Sequence, residues 1–148
     1  MKFEHNNISP LDNRYSSKIL DTRLCFSEAE LIKQRFIIEI DWLIYLCDKH
    51  PKHFLKISNT LKNKLSIFKN QFSDKYVLKI KKIEKKTNHD VKAVEYFIKD
   101  YFLKDKQLAK YIHLIHFGLT SEDVNSLAYA IMIKTGIKIH IQKLQSLT

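Results

Sequence analysis

Glycine and proline are almost missing from this chain, with two of each in 148 residues against an average usage of roughly 7% and 5%. So little turn-forming punctuation disfavours hairpin-rich and sandwich folds. Gly118 and Gly136 are also too few to build a G-x-G-x-x-G turn or a Walker loop, which excludes nucleotide binding of those kinds. Cysteine is equally scarce. Cys25 and Cys47 form no C-x-x-C and have no companion pair, so a zinc site or disulfide framework has no basis and reduced thiols of a cytoplasmic protein are expected. No apolar run reaches the roughly 20 residues of a bilayer crossing. The opening Met1-Lys2-Phe3-Glu4-His5-Asn6-Asn7 has no apolar h-region and no small-residue cleavage site, so neither a membrane nor export is expected.

Arginine is the last scarcity. The net charge is +10, yet lysine supplies 23 of the 26 positive charges and arginine three. A nucleic-acid surface draws on the bidentate guanidinium and clusters it with aromatics. Here the lysines are spread along the chain and isoleucine and asparagine are plentiful, the pattern of an AT-rich coding bias. The charge reads as a solvated lysine coat, and no nucleic-acid partner is expected.

What is present is helical periodicity on a 45% apolar composition, and the expected fold class is all-α. Residues 1–23 are polar and read as turn or loop. Ser27 and Glu30 make a capping-box pattern ahead of Leu31, Ile32, Phe36, Ile37, Ile40, Leu43 and Ile44, an amphipathic helix stopped near His50 by Pro51. Phe54, Ile57, Leu61, Leu65, Phe68 and Phe72 set out a second helix. Tyr76 to Ile83 continues it, and the apolar-free run Glu84-Lys85-Lys86-Thr87-Asn88 reads as a break. A helix from Asp90 is expected with Thr87 or Asn88 as N-cap. A short helix over Leu108 to Ile115 is expected to close on Gly118 as C′ residue. A last helix, capped by Thr120 or Ser121 with Glu122 and Asp123 in its first turn, runs to Thr148 without a stop signal. Its apolar stripe needs partners beyond a chain this short.

Three polar clusters interrupt this pattern where loops and helix starts display side chains. Arg14-Tyr15 is an arginine kept where lysine is the rule, as phosphate gripping requires; an ordinary surface arginine is the equal alternative. Thr87-Asn88-His89-Asp90 offers donors and a proton carrier, or plain helix capping. His116 to Asp123 places the hydroxyls of Thr120 and Ser121 at a helix N-terminus, which is a natural anion site as well as a cap. His113 and His116 have the i, i+3 spacing of a metal pair, but no cysteine or placed carboxylate completes a set.

The segments Thr87 to Phe97 (TNHDVKAVEYF) and His116 to Asn125 (HFGLTSEDVN) resemble two signature regions of the adenylosuccinate lyase family, and Ser9 to Tyr15 (SPLDNRY) resembles its N-terminus. Three such segments in the right order are more specific than any one of them. The resemblance implies the all-α fumarase and aspartase superfamily, with residues 1–112 as an N-terminal helical domain and 113–148 as the start of the central helix bundle. It implies elimination of fumarate, cleaving a C–N bond of adenylosuccinate to give AMP and of the succinylated aminoimidazole carboxamide ribotide in purine synthesis. No metal or organic cofactor is called for. By resemblance Arg14 and Tyr15 bind the nucleotide phosphate, Asn88, His89 and Asp90 line the substrate pocket, Thr120 and Ser121 hold a substrate anion, and His116 binds or orients beside them. The family's catalytic histidine and serine lie in segments that these 148 residues do not contain. The chain is therefore expected to be an N-terminal portion, inactive alone, of a cytoplasmic homotetramer with shared sites. The residues leave open a different reading, a free-standing basic helical module for RNA or an acidic partner.

Overall fold

The computed structural model describes residues 9, 11 and 14–147. Among them the fold is all-α, as expected: six α-helices, α1 (Leu20–Phe26), α2 (Glu28–Lys49), α3 (Asn59–Asn70), α4 (Asp74–Thr87), α5 (Asp90–Phe102) and α6 (Ser121–Gln145), with 3-10 segments at Ser16–Ile19 and Leu108–Leu114.

Helix α2 organises the fold, packing against each of the other five α-helices. Its apolar residues fall on two sides. Ile32, Phe36, Ile40, Leu43 and Cys47 join the main core with Leu65, Phe68, Phe97 and Phe102, where Phe36 and Phe68 meet edge to face at 4.9 Å. On the opposite side Ile38 packs with Val91, Val124 and Ala128, seating the start of α5 and of α6 against α2. Burying a side chain of this size contributes about 1.5–3 kcal/mol, so two apolar faces fix α2 more firmly than its caps do. Ser27 accepts a hydrogen bond from the Glu30 N–H at 3.2 Å. The reciprocal half of the box is absent because the Glu30 carboxylate turns to Lys33 and Gln34.

Several local expectations are corrected. Residues 16–26 are helical rather than loop. No side chain caps α1; tertiary contacts hold it, with Asp21 2.8 Å from Lys143. Gly136 has a reason in the same contact, since a Cβ there would stand 2.4 Å from the Phe26 ring. Helix α3 begins at its N-cap Ser58, so Phe54 and Ile57 precede it; Ile57 is nonetheless buried, which is why it continued the apolar period. The real break falls around Ser73, and the run 84–87 is the solvated last turn of a separate helix, α4, supported by the Lys81–Glu84 pair. His89, not Thr87 or Asn88, caps α5. Residues Leu108–Leu114 form a 3-10 helix with Ile115 as C-cap, and Gly118 (φ +70) sits in the turn beyond it. Helix α6 ends at Gln145 with Ser146 as C-cap, and Thr148 lies outside the described residues. Its outer face stays exposed, including Leu127, Ile131, Ile137, Ile141 and Leu144, as the unpartnered stripe implied. No helix among the described residues is long and apolar enough to cross a membrane.

Candidate functional site

Arg35, Glu39 and Trp42 stand at i, i+4 and i+7 on α2, one face of the helix, and each reaches a different polar segment. Arg35 is almost fully buried, and its guanidinium forks. Nη2 lies 2.7 Å from Asp90 Oδ2 and Nε donates to Asn125 Oδ1 at 2.9 Å. The first turn of α5 is thereby tied to α6 just past its first turn, a geometry an arginine can span and a lysine cannot. One turn along, Glu39 and His116 are hydrogen-bonded, Oε1 to Nδ1 at 2.6 Å. Next, Trp42 Nε1 donates to the Phe117 carbonyl at 2.8 Å. These two anchors hold the turn before α6, where His116 adopts a left-handed backbone (φ +63), a conformation that costs a non-glycine residue of order 1 kcal/mol and persists when its surroundings over-determine it.

The electrostatics follow from burial. Desolvation raises the Glu39 carboxyl above its ordinary value, against the lowering effect of the His116 hydrogen bond and charge; Glu95 adds a further push upward. Glu39 Oε2 is buried without a hydrogen-bond partner among the described residues. For Asp90 desolvation also pushes upward, but the Val91 N–H and Arg35 outweigh it and the pKa is lowered. Glu95 behaves alike, burial being overcome by Lys92 and Lys99, whose ammonium groups lie 2.7 and 2.5 Å from its carboxylate. Arg35, Glu39 and Glu95 are the buried charged side chains among the described residues. Sequence reasoning missed all three. The available signal was the pair Arg35 and Glu39 at i, i+4 inside an otherwise apolar stretch, Arg35 being one of three arginines.

Each expected site residue now has a place. His89 spends Nδ1 as the N-cap acceptor for the Lys92 N–H at 3.2 Å, leaving Nε2 as its available atom. Asn88 is the left-handed C-cap of α4 (φ +50), so its backbone turns the chain from α4 into α5. Thr120 is fully engaged in a capping box: its hydroxyl accepts from the Asp123 N–H at 3.3 Å and donates to Asp123 Oδ2 at 2.9 Å. The Ser121 hydroxyl has no hydrogen bond among the described residues. Asp90, His116 and the Thr120–Ser121 helix start are thus drawn to one side of α2. Arg14 and Tyr15 are not joined to them by any hydrogen bond or ion pair among the described residues. They are exposed, and the Arg14 guanidinium lies 5.3 Å from the Tyr15 ring centre. Pro10, Asp12 and Asn13 of the same segment lie outside the described residues. Among the described residues no three His, Cys, Asp or Glu side chains are grouped to hold a metal ion.

The chain that folds this way has sequence relatives among the adenylosuccinate lyases. Over 139 residues the chain is 44% identical to the adenylosuccinate lyase of Legionella pneumophila (strain Corby), covering 93% of this chain and 30% of that protein. The chain is a homologue of one portion of adenylosuccinate lyase. Similarity extends to the adenylosuccinate lyase of Buchnera aphidicola subsp. Schizaphis graminum, 41% identical over 130 residues, covering 86% of the chain and 28% of the relative. For the adenylosuccinate lyase of Escherichia coli (strain K12) the identity is 40% over 129 residues, with the same coverage, 86% and 28%. The chain spans less than a third of the length of these adenylosuccinate lyases. No family model matches it.

Proposed function

We propose that this chain supplies the substrate-binding third of an adenylosuccinate lyase, an enzyme that eliminates fumarate from adenylosuccinate and from the succinylated aminoimidazole carboxamide ribotide. The observation that carries this reading is the Arg35 fork, which brings together Asp90 and Asn125, members of two of the three segments that resemble the family. Elimination of this kind needs a base for a weakly acidic proton beside a carboxylate, an acid for the departing nitrogen, and fixed donors for the charge that develops. In this reading Asn88, His89 through Nε2, and Asp90 line the pocket. Ser121 and the free N–H groups of the α6 N-terminus hold a substrate anion, with Thr120 shaping that terminus, and His116 is oriented beside it by Glu39. Arg14 and Tyr15 bind the nucleotide phosphate end, reaching it from a separate part of the surface.

The acid and base come from segments outside this chain, so the 148 residues alone release no fumarate. Residues 1–112 form the N-terminal domain and 113–148 begin the central bundle, whose remaining helices cover the exposed face of α6. The working protein is a cytoplasmic homotetramer with shared sites, uses no cofactor and binds no nucleic acid. A chimera in which this chain replaces the matching third of the Escherichia coli relative tests the reading. Fumarate release from adenylosuccinate is expected; a folded, assembled chimera that releases none overturns it.

A further inference from the structure

Helices α4 and α5 form a hairpin joined by Asn88 and His89, and between them lies a cavity of about 290 Å³. None of the candidate-site residues lines it. Its rim is basic: Lys79, Lys82 and Lys86 stand at i, i+3 and i+7 on α4, and Lys104 comes from the turn after α5. Its floor is aromatic, made by Tyr76, Phe97 and Tyr101. Tyr76 and Phe97 lie with ring centres 5.0 Å apart, and Tyr101 is stacked on the core ring of Phe68 at 3.5 Å, so the floor is rigid.

What sets this patch apart is the gathering of its lysines around one opening. Elsewhere some lysines are matched to carboxylates, as Lys62 to Asp48, Lys81 to Glu28 and Lys143 to Asp21, and others, such as Lys134 and Lys138, have no such match among the described residues. Lys79, Lys82, Lys86 and Lys104 have no ion pair among the described residues. Asp100 is the single acid on the rim, leaving an excess of three positive charges around one opening. Like charges gathered this way repel, and a bound polyanion relieves the repulsion. Lysine ammonium groups act as point charges that suit phosphate, and aromatic floors suit a flat ring. The volume is at the lower bound of small-molecule pockets, roughly 300 Å³.

We propose that the α4–α5 cavity is a nucleotide-binding site distinct from the candidate substrate site, the base lying on Tyr76 and Tyr101 and the phosphates on Lys79, Lys82, Lys86 and Lys104. The site does not depend on the lyase reading. Calorimetric titration of the purified chain with ATP, tripolyphosphate and adenosine tests it. ATP is expected to bind at least about tenfold more tightly than either part, and binding weakens as salt is raised. The double variant Lys82→Gln/Lys86→Gln, at exposed positions that leave the core intact, is expected to lose about tenfold or more in ATP affinity. The control Lys134→Gln/Lys138→Gln, of equal charge change on α6, is expected to lose little. Equal affinities for ATP and tripolyphosphate, equal losses in both double variants, or no ATP binding at millimolar concentration each overturn the proposal.

Discussion

Glu39 and His116 are hydrogen-bonded at 2.6 Å across 77 residues of sequence, with the carboxylate buried and the imidazole near the surface. Burial raises the Glu39 pKa above 4.5 in spite of the His116 contact. A carboxyl whose folded pKa is raised binds its proton more tightly in the folded state. Its contribution to stability is therefore greatest below 4.5 and declines as pH rises through the raised value. Glu39→Gln removes this dependence. Melting temperature measured against pH should fall less steeply above pH 4.5 in the variant than in the parent, and an unchanged slope would contradict the assignment.

Arg35 contacts both Asp90 and Asn125, and Arg35→Met should therefore loosen the starts of α5 and α6 at once. Hydrogen bonds to charged groups contribute about 1.5–3 kcal/mol; with Asp90 half exposed, about 2 kcal/mol is expected from urea denaturation. The pH signature has the opposite sign to that of Glu39. The lowered Asp90 pKa gives stability that is complete above 3.8 and is lost as pH falls through the depressed value. Acidification below 3.8 should cost the parent more than Arg35→Met.

Helix α2 and the cap of α6 were legible because the information is local. Ser27 precedes an apolar period, and Thr120 precedes Glu122 and Asp123. Helix α1 was not, since it has neither cap nor period and is held by contacts with α6 and α2. The boundary between α3 and α4 carries no glycine or proline, so the period ran through it. The site was half legible. Asp90, His116 and Thr120 were readable as polar interruptions, whereas Arg35 and Glu39 lie inside an apolar stripe and their partners are 90 and 77 residues away. Pairings at that distance leave no trace in a local pattern.

His89 caps α5 through Nδ1, a task more often given to Ser, Thr, Asp or Asn. His89→Ala should cost about 1 kcal/mol of stability, and His89→Asn should restore most of it. If both variants unfold at the same denaturant midpoint as the parent, the cap contributes nothing. In the chimera, His89→Asn keeps the cap but loses Nε2. A raised KM with unchanged stability would then separate a pocket role from a structural one.

Thr120 and Ser121 are adjacent hydroxyls with different commitments. The Thr120 hydroxyl both accepts from and donates to Asp123, and the Thr120 N–H, followed by its hydroxyl, lowers the Asp123 pKa. Thr120→Ala removes the cap and should cost about 1 kcal/mol, while Thr120→Ser should be nearly neutral. The Ser121 hydroxyl has no hydrogen bond among the described residues, so Ser121→Ala should change stability by less than about 0.5 kcal/mol. Its effect belongs to the substrate. In the chimera, Ser121→Ala should raise KM several-fold at constant melting temperature, because a donor to the bound anion is lost while the helix start is intact. A Ser121→Ala chimera with parental KM and kcat would take the Ser121 hydroxyl out of the anion site and leave only the backbone N–H groups of α6 to form it.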